Sequence, residues 1–350
     1  MENDIFGGLS CALPFLFLSI SPMSEASPLS ASDFLSPDTH DVKLRAAWLY
    51  HVEQLTQEEV ARQLGLNRSK VLRLLAAARE EGLVQVSING RGSDMLQLEQ
   101  ALMARFRLQQ AIVVPVSGLS ESLSIKAVAH ATGRYLSDQM TDGISIGVGW
   151  GATLHHAIRS LAWRHVRDAT VVSLLGEVTH AGVDSPSAVA WQLAHFYRTE
   201  LYQITAPVFV PDPALAQALW QIDEMAKLQT RARQLDLVLL SVGDLSRQAS
   251  IFRRGLLSWD TADNLKAAGA VGDVLCHFVD ASGQVIDHPA NQRVMAIHPA
   301  SLAPVPRIVI SSCGARKAQA MIAGIAATQA HVLIVDETAA RAMLRLAGGA

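Results

Sequence analysis

Apolar and polar positions follow two different periods along this chain, and the change of period divides it. Within residues 55–82, LTQEEVARQLGLNRSKVLRLLAAAREEG, apolar residues recur at helical spacing in two short runs. Val60, Ala61 and Leu64 predict the inner face of one helix, and Val71, Leu74 and Leu75 that of a second. Thr56 and Glu59 have the Thr-x-x-Glu spacing of a capping box, Gly65 permits a sharp exit, and Asn67 is placed to cap the next helix. A helix over residues 42–51 completes a three-helix head, and residues 83–88 alternate like a short strand. Residues 89–93, NGRGS, read as a hinge. Met95, Leu98, Leu102 and Phe106 then mark a helix over 94–107, for which internal packing and pairing with a second subunit are equal expectations.

From residue 110 the pattern changes to compact runs, most of them rich in Val, Ile and Leu. Those at 111–116, 144–148, 170–175, 201–205, 237–242, 307–311 and 331–335 predict strands. Helical stretches at 122–140, 153–163, 188–198, 213–220, 315–327 and 338–346 separate them. Continuous apolar strands alternating with helices predict an α/β fold: a small all-α helix-turn-helix head followed by a doubly wound parallel sheet.

Composition agrees. Of the 350 residues 50% are hydrophobic and only 17% charged, so a large core can be buried. The formal net charge is -3, yet residues 42–91 are locally basic, with Lys43, Arg45, Arg62, Arg68, Lys70, Arg73, Arg79 and Arg91 against five glutamates. That asymmetry changes the reading of the second head helix. Asn67, Arg68, Ser69, Lys70 and Arg73 lie on its exposed face or leading end, where a helix in the major groove of duplex DNA meets bases and phosphates. Thr56 joins them as the start of the supporting helix. A plain hairpin with a solvated basic face is the competing explanation.

Cys11, Cys276 and Cys313 are widely spaced with no CxxC pair, which points to neither a disulfide frame nor a zinc site, and to a reducing cytoplasm. Residues 9–20 are apolar but too few to span a bilayer, and Glu2 and Asp4 are wrong for a secretory signal. Residues 21–39 are rich in Ser, Pro and Asp and are expected to be disordered, with Met23 the expected translation start.

In a doubly wound sheet, ligands sit at the carboxyl ends of strands. The turn in ISIGVGWGATL, residues 144–154, carries Gly147, Gly149 and Gly151 and places Thr153 at a helix start, an arrangement suited to a phosphate or a sugar hydroxyl. It also satisfies Gly-x-Gly-x-x-Ala, so a dinucleotide site is the alternative; Glu177 is the nearest acidic residue for it, and close packing is the other explanation. In RIVISSCGARK, residues 307–317, Lys317 falls in the first turn of a helix, where a cation opposes the dipole unless an anion lies in front. Residues 269–273, GAVGD, read as a flexible loop ending in a carboxylate able to bridge sugar hydroxyls, or to cap a turn. Residues 241–244, SVGD, are a weaker site of the same kind.

These residues together resemble the SorC family of bacterial transcriptional regulators over residues 42–346. The head LTQEEVARQLGLNRSKVLRLLAAAREEGLV, the loop GVGWGATL, the block GAVGDVLCHFVDASGQVID, the NQRV run at 291–294 and SSCGARKAQAMIAGI carry the resemblance, the loop and late blocks more specifically than the head. It implies a body folded like sugar-phosphate isomerases, without catalysis, cofactor or metal. It also implies assembly into dimers or tetramers, and an operator affinity set by a sugar, sugar phosphate or polyol. The chain is then a disordered extension (1–40), a DNA-binding head (41–92) and an effector-binding and oligomerisation domain (93–350). By motif the effector site comprises Gly147, Gly149, Gly151, Thr153, Asp273 and Lys317. Three departures lie near it: Ser187-Ala188 for a frequent Asn-Glu, Gly176-Glu177 for paired glycines, and Cys276-His277 for a frequent Gly-Arg. An isomerase or NAD-dependent oxidoreductase on the same body is the competing function, with Asp244, Asp273 and His277 as its possible bases.

Overall fold

The computed structural model describes residues 39–84, 93–116, 118–178 and 185–348; the expected extension, the hinge and most of the strand at 83–88 lie outside them. Three helices come first, α1 (Thr39–His51), α2 (Gln57–Leu64) and α3 (Arg68–Glu80). Then α4 (Ser93–Phe106) leads into β1 (Gln110–Val114), α5 (Glu121–Gln139), β2 (Ser145–Val148), α6 (Ala152–Ile158), β3 (Thr170–Ser173), α7 (Pro186–Tyr197) and β4 (Glu200–Tyr202). Next come α8 (Pro213–Trp220), α9 (Asp223–Ala232), β5 (Leu237–Leu240), β6 (Val242–Gly243), α10 (Ser250–Arg253), α11 (Trp259–Ala267), β7 (Gly272–Val274) and β8 (His277–Val279). The chain closes with β9 (Ile308–Ser311), α12 (Ala318–Thr328), β10 (Val332–Asp336) and α13 (Glu337–Gly348). It divides into two compact units after Leu74, inside α3.

In the first unit the Thr56 hydroxyl accepts from the Glu59 amide while the Glu59 carboxylate accepts from the Thr56 amide at 2.8 Å, a complete capping box. The Thr56 hydroxyl and the Thr56 amide, both donating to it, hold the Glu59 carboxyl below its ordinary range. Gly65 ends α2 at φ 66, a left-handed conformation that glycine adopts without penalty. The Asn67 side chain then accepts from the Lys70 amide at 2.8 Å and starts α3. Val60, Ala61, Val71 and Leu74 are buried, as the spacing predicts.

The second unit is built on a seven-stranded parallel sheet in the order β1-β10-β9-β5-β2-β3-β4. Successive residues of a strand enter different cores: Val238 and Leu240 join one, Leu237 and Leu239 the other. Both faces are therefore covered, which is why these strands read as continuous apolar runs rather than alternating ones. From β2 the chain winds outward through β3 to β4, then returns to β5 on the other side of β2 and winds through β9 to β10. The winding reverses between β2 and β5, and a crevice opens at their carboxyl ends.

Two expectations change. The helix expected over 153–163 stops at Ile158, because the Ala162 amide donates to the Ser137 hydroxyl and its carbonyl accepts from the Tyr197 hydroxyl. The segment read as a flexible loop, 269–273, instead enters β7 of a small antiparallel sheet, β6-β7-β8. In α4, Met95, Leu98 and Leu102 are buried in the body's own core, the internal packing expected of this helix.

Candidate functional site

A cavity of about 550 Å³ lies at the reversal point of the sheet. It is lined by Trp150, Gly151 and Thr153 after β2, by residues 241–244 after β5, by Asp273 on β7, and by Cys313, Arg316 and Lys317 after β9. The start of α5, including Glu121, closes another side.

Four of the six residues expected for effector contact, Gly151, Thr153, Asp273 and Lys317, meet here. Gly147 and Gly149 do not line the cavity. A Cβ on Gly147 would stand 2.6 Å from the Leu235 side chain, and one on Gly149 would stand 3.2 Å from that of Leu275, so these glycines serve close packing in and after β2. Gly151 reaches φ 131 as the chain turns into α6, a conformation closed to side chains.

Asp273 sits on β7 opposite Gly243, and a Cβ at position 243 would fall 1.9 Å from its Oδ1. A side chain at position 243 would have to displace the Asp273 carboxyl. Burial pushes the Asp273 carboxyl up to about 7; the Cys276 amide, donating at 3.1 Å, and the Lys317 charge work against the rise, while Asp244 adds to it. Asp273 thus both faces the cavity and ties the β7–β8 hairpin. That hairpin turns through Leu275 and Cys276, at φ 51 and 61, left-handed conformations in which glycine is the ordinary occupant. The Gly-Arg to Cys-His departure therefore places a side chain where the backbone favours none.

Lys317 donates from Nζ to the Val242 carbonyl at 3.0 Å, linking the β9 and β5 turns. Arg316, which sequence reasoning passed over, is more fully engaged. Its Nε donates to Asp244 Oδ2 at 2.6 Å, its Nη1 to Gln248 Oε1, and its Nη2 to Glu121 Oε1 at 3.3 Å. Burial alone would raise the Asp244 carboxyl, but the bonds from Ser246 and Arg316 more than offset it and its pKa is lowered.

Cys313 is pushed up to about 11 by burial and by Asp336, and burial drives Cys276 well above its ordinary value, so both remain protonated thiols at neutral pH. His277 does not line the cavity; burial, with His298 beside it, lowers it to about 3, and its Nδ1 donates to the Leu275 carbonyl at 3.1 Å. Glu177, weighed above for a dinucleotide ribose, is not among the lining residues either. Among the described residues no cluster has the make-up of a metal site, and no helix is long and apolar enough to cross a membrane.

On the head, Arg68, Ser69, Lys70 and Arg73 are all exposed. Arg68 donates to the Gln57 side chain at 3.2 Å and approaches Glu58 at 4.0 Å; a pair so exposed holds the guanidinium only weakly. Thr56 and Asn67 spend their side-chain oxygens on capping.

A helix-turn-helix ahead of a doubly wound body with a polar cavity at its reversal point defines a ligand-responsive DNA-binding protein. Residues 91–345 match the family described as "Putative sugar-binding domain". The deoxyribonucleoside regulator of Bacillus subtilis is 27% identical over 88% of this chain and 98% of its own length. The transcriptional regulator LsrR of Klebsiella pneumoniae is 30% identical over 87% of this chain and 92% of its own. The crystal structure of the full-length sorbitol operon regulator SorC from Klebsiella pneumoniae superposes with a TM-score of 0.66 at 22% identity, covering 87% of this chain and 99% of that one. The chain belongs to the SorC family of sugar-binding transcriptional regulators.

Proposed function

We propose that the protein is a homo-oligomeric regulator of carbohydrate or polyol metabolism whose operator affinity changes when a sugar, sugar phosphate or polyol enters the cavity between β2 and β5. Arg68, Ser69, Lys70 and Arg73 meet the operator, with Thr56 and Asn67 holding the two helices in register. Gly151, Thr153, Asp273 and Lys317 receive the effector. The observation that carries this reading is the convergence of four separately expected residues on one cavity at the reversal point. The names of the relatives agree, since they include regulators of erythritol catabolism and of a sorbitol operon. Coupling requires that the ligand prefer one arrangement of the assembled subunits.

The test is fluorescence anisotropy with the full chain on duplex from its own promoter region against random duplex, each with and without sugars, polyols and their phosphates. A preference for the promoter that one ligand shifts is the expected result. Equal affinity for both duplexes under every condition would overturn the reading.

An isomerase or NAD-dependent oxidoreductase has one observation in its favour, an Asp273 carboxyl titrating near neutral pH in a cavity. The other two bases do not join it: His277 lies off the cavity and Asp244 is ion-paired to Arg316. Turnover of any sugar phosphate by the purified chain would reverse the preference.

A further inference from the structure

We infer that the cavity selects an uncharged polyhydroxylated ligand, a linear polyol or free sugar, over its phosphate ester, because Arg316 is already neutralised by carboxylates of the cavity wall. This deepens the proposed function and rests on it.

Three carboxylates line the cavity, Glu121, Asp244 and Asp273, against Arg253, Arg316, Lys317 and the imidazole of His156. The bases are not equally available. Arg316 lies on the turn after β9 and reaches both ways, to Asp244 and Gln248 in the segment after β5 and to Glu121 at the start of α5. Each of its three nitrogens donates once, and although two of its five N–H donors remain, its charge is shared between Asp244 and Glu121. The Asp244 side chain is only 7% exposed. A phosphate that recruited Arg316 would compete with this buried carboxylate for its counterion, and a buried carboxylate left without one is unfavourable. The phosphate would meanwhile face the Asp244 and Glu121 carboxylates across the same space. Arg253, on α10, is exposed, so water and salt screen its charge.

Lys317 is different. Its ammonium has three donors, of which one is given to the Val242 carbonyl, so two remain for ligand oxygens. A ligand hydroxyl accepts from Lys317 and donates to a carboxylate at no cost in charge separation. A chain of such hydroxyls matches alternating carboxylates and donors, and a phosphate does not.

Isothermal titration calorimetry of the full chain with matched probes tests this: erythritol, xylitol and sorbitol, each against its terminal phosphate ester. At least one polyol is expected to bind about tenfold or more tightly than its ester. Asp244→Asn keeps the shape, removes the counterion and frees Arg316, and is expected to shift the ester-to-polyol ratio about tenfold toward the ester. Glu121→Gln, at the exposed end of the same network, is expected to shift it in the same direction by less, and serves if Asp244→Asn does not fold. An ester that binds as tightly as its polyol or more so overturns the inference and leaves the proposed function standing. A ratio that neither substitution moves also overturns it. Absence of binding by every probe of both kinds overturns the cavity as effector site, and the inference with it.

Discussion

Replacing Asp273 by Asn removes a titration that the fold has displaced far from its ordinary place. Burial moves the carboxyl from 3.8 to about 7. An acid whose folded pKa lies above its unfolded one keeps its proton longer in the folded chain. Its contribution to stability is therefore fullest below the unfolded value and is lost as pH rises through the window from about 4 to about 7. The displacement is about 3 pH units, or about 4 kcal/mol at about 1.4 kcal/mol per unit, of which more than half falls between pH 5 and pH 8. Asn has no such titration and still offers an oxygen to the Cys276 amide. Urea unfolding of wild type and Asp273→Asn, followed by tryptophan fluorescence at pH 5 and pH 8 without ligand, reads the difference. The gap between the two proteins is expected to move in favour of the variant by about 2–3 kcal/mol on going to pH 8. A gap that stays constant with pH would mean that Asp273 is solvated in the folded chain and does not sit against Gly243.

Other outcomes follow from the same geometry. Gly243→Ala drives a methyl into Asp273 Oδ1 and is expected to cost about 1–3 kcal/mol in denaturation while weakening effector binding; unchanged values for both would remove the close approach. Thr56→Ala breaks the capping box and is expected to destabilise α2 by about 0.5–2 kcal/mol, measured by thermal unfolding of the head signal, with operator affinity falling in parallel. Arg73→Ala is expected to weaken promoter binding by about 1–3 kcal/mol if the side chain reads a base, or to reduce the salt slope by about one if it holds a phosphate; identical titrations at all salt concentrations would exclude both.

Much of the fold was legible because burial is two-sided. All seven strands of the parallel sheet were expected from apolar runs, since residues such as Leu237, Val238, Leu239 and Leu240 are all buried and leave no polar position to blur the signal. The β7–β8 hairpin was not legible: Leu275 and Cys276 occupy its tip, and neither is a residue from which a tight turn is read. The end of α6 was hidden for another reason, since Ser137 and Tyr197, distant in sequence, take up the backbone of Ala162. Lys317 stood out because it follows Gly314 at a helix start. The Arg316 network did not, since Glu121, Asp244 and Arg316 become neighbours only through the strand order β1-β10-β9-β5.

The body is laced shut by its two ends. Glu99 of α4 accepts from the Val113 amide of β1 at 2.9 Å, and Arg105 of α4 donates to the Ala347 carbonyl of α13 at 2.7 Å. Strand β10, paired along the whole length of β1, completes the join. The edge of β1 therefore has no partner until β10 is in place, so losing β10 and α13 would leave a bare strand open to pairing with another chain.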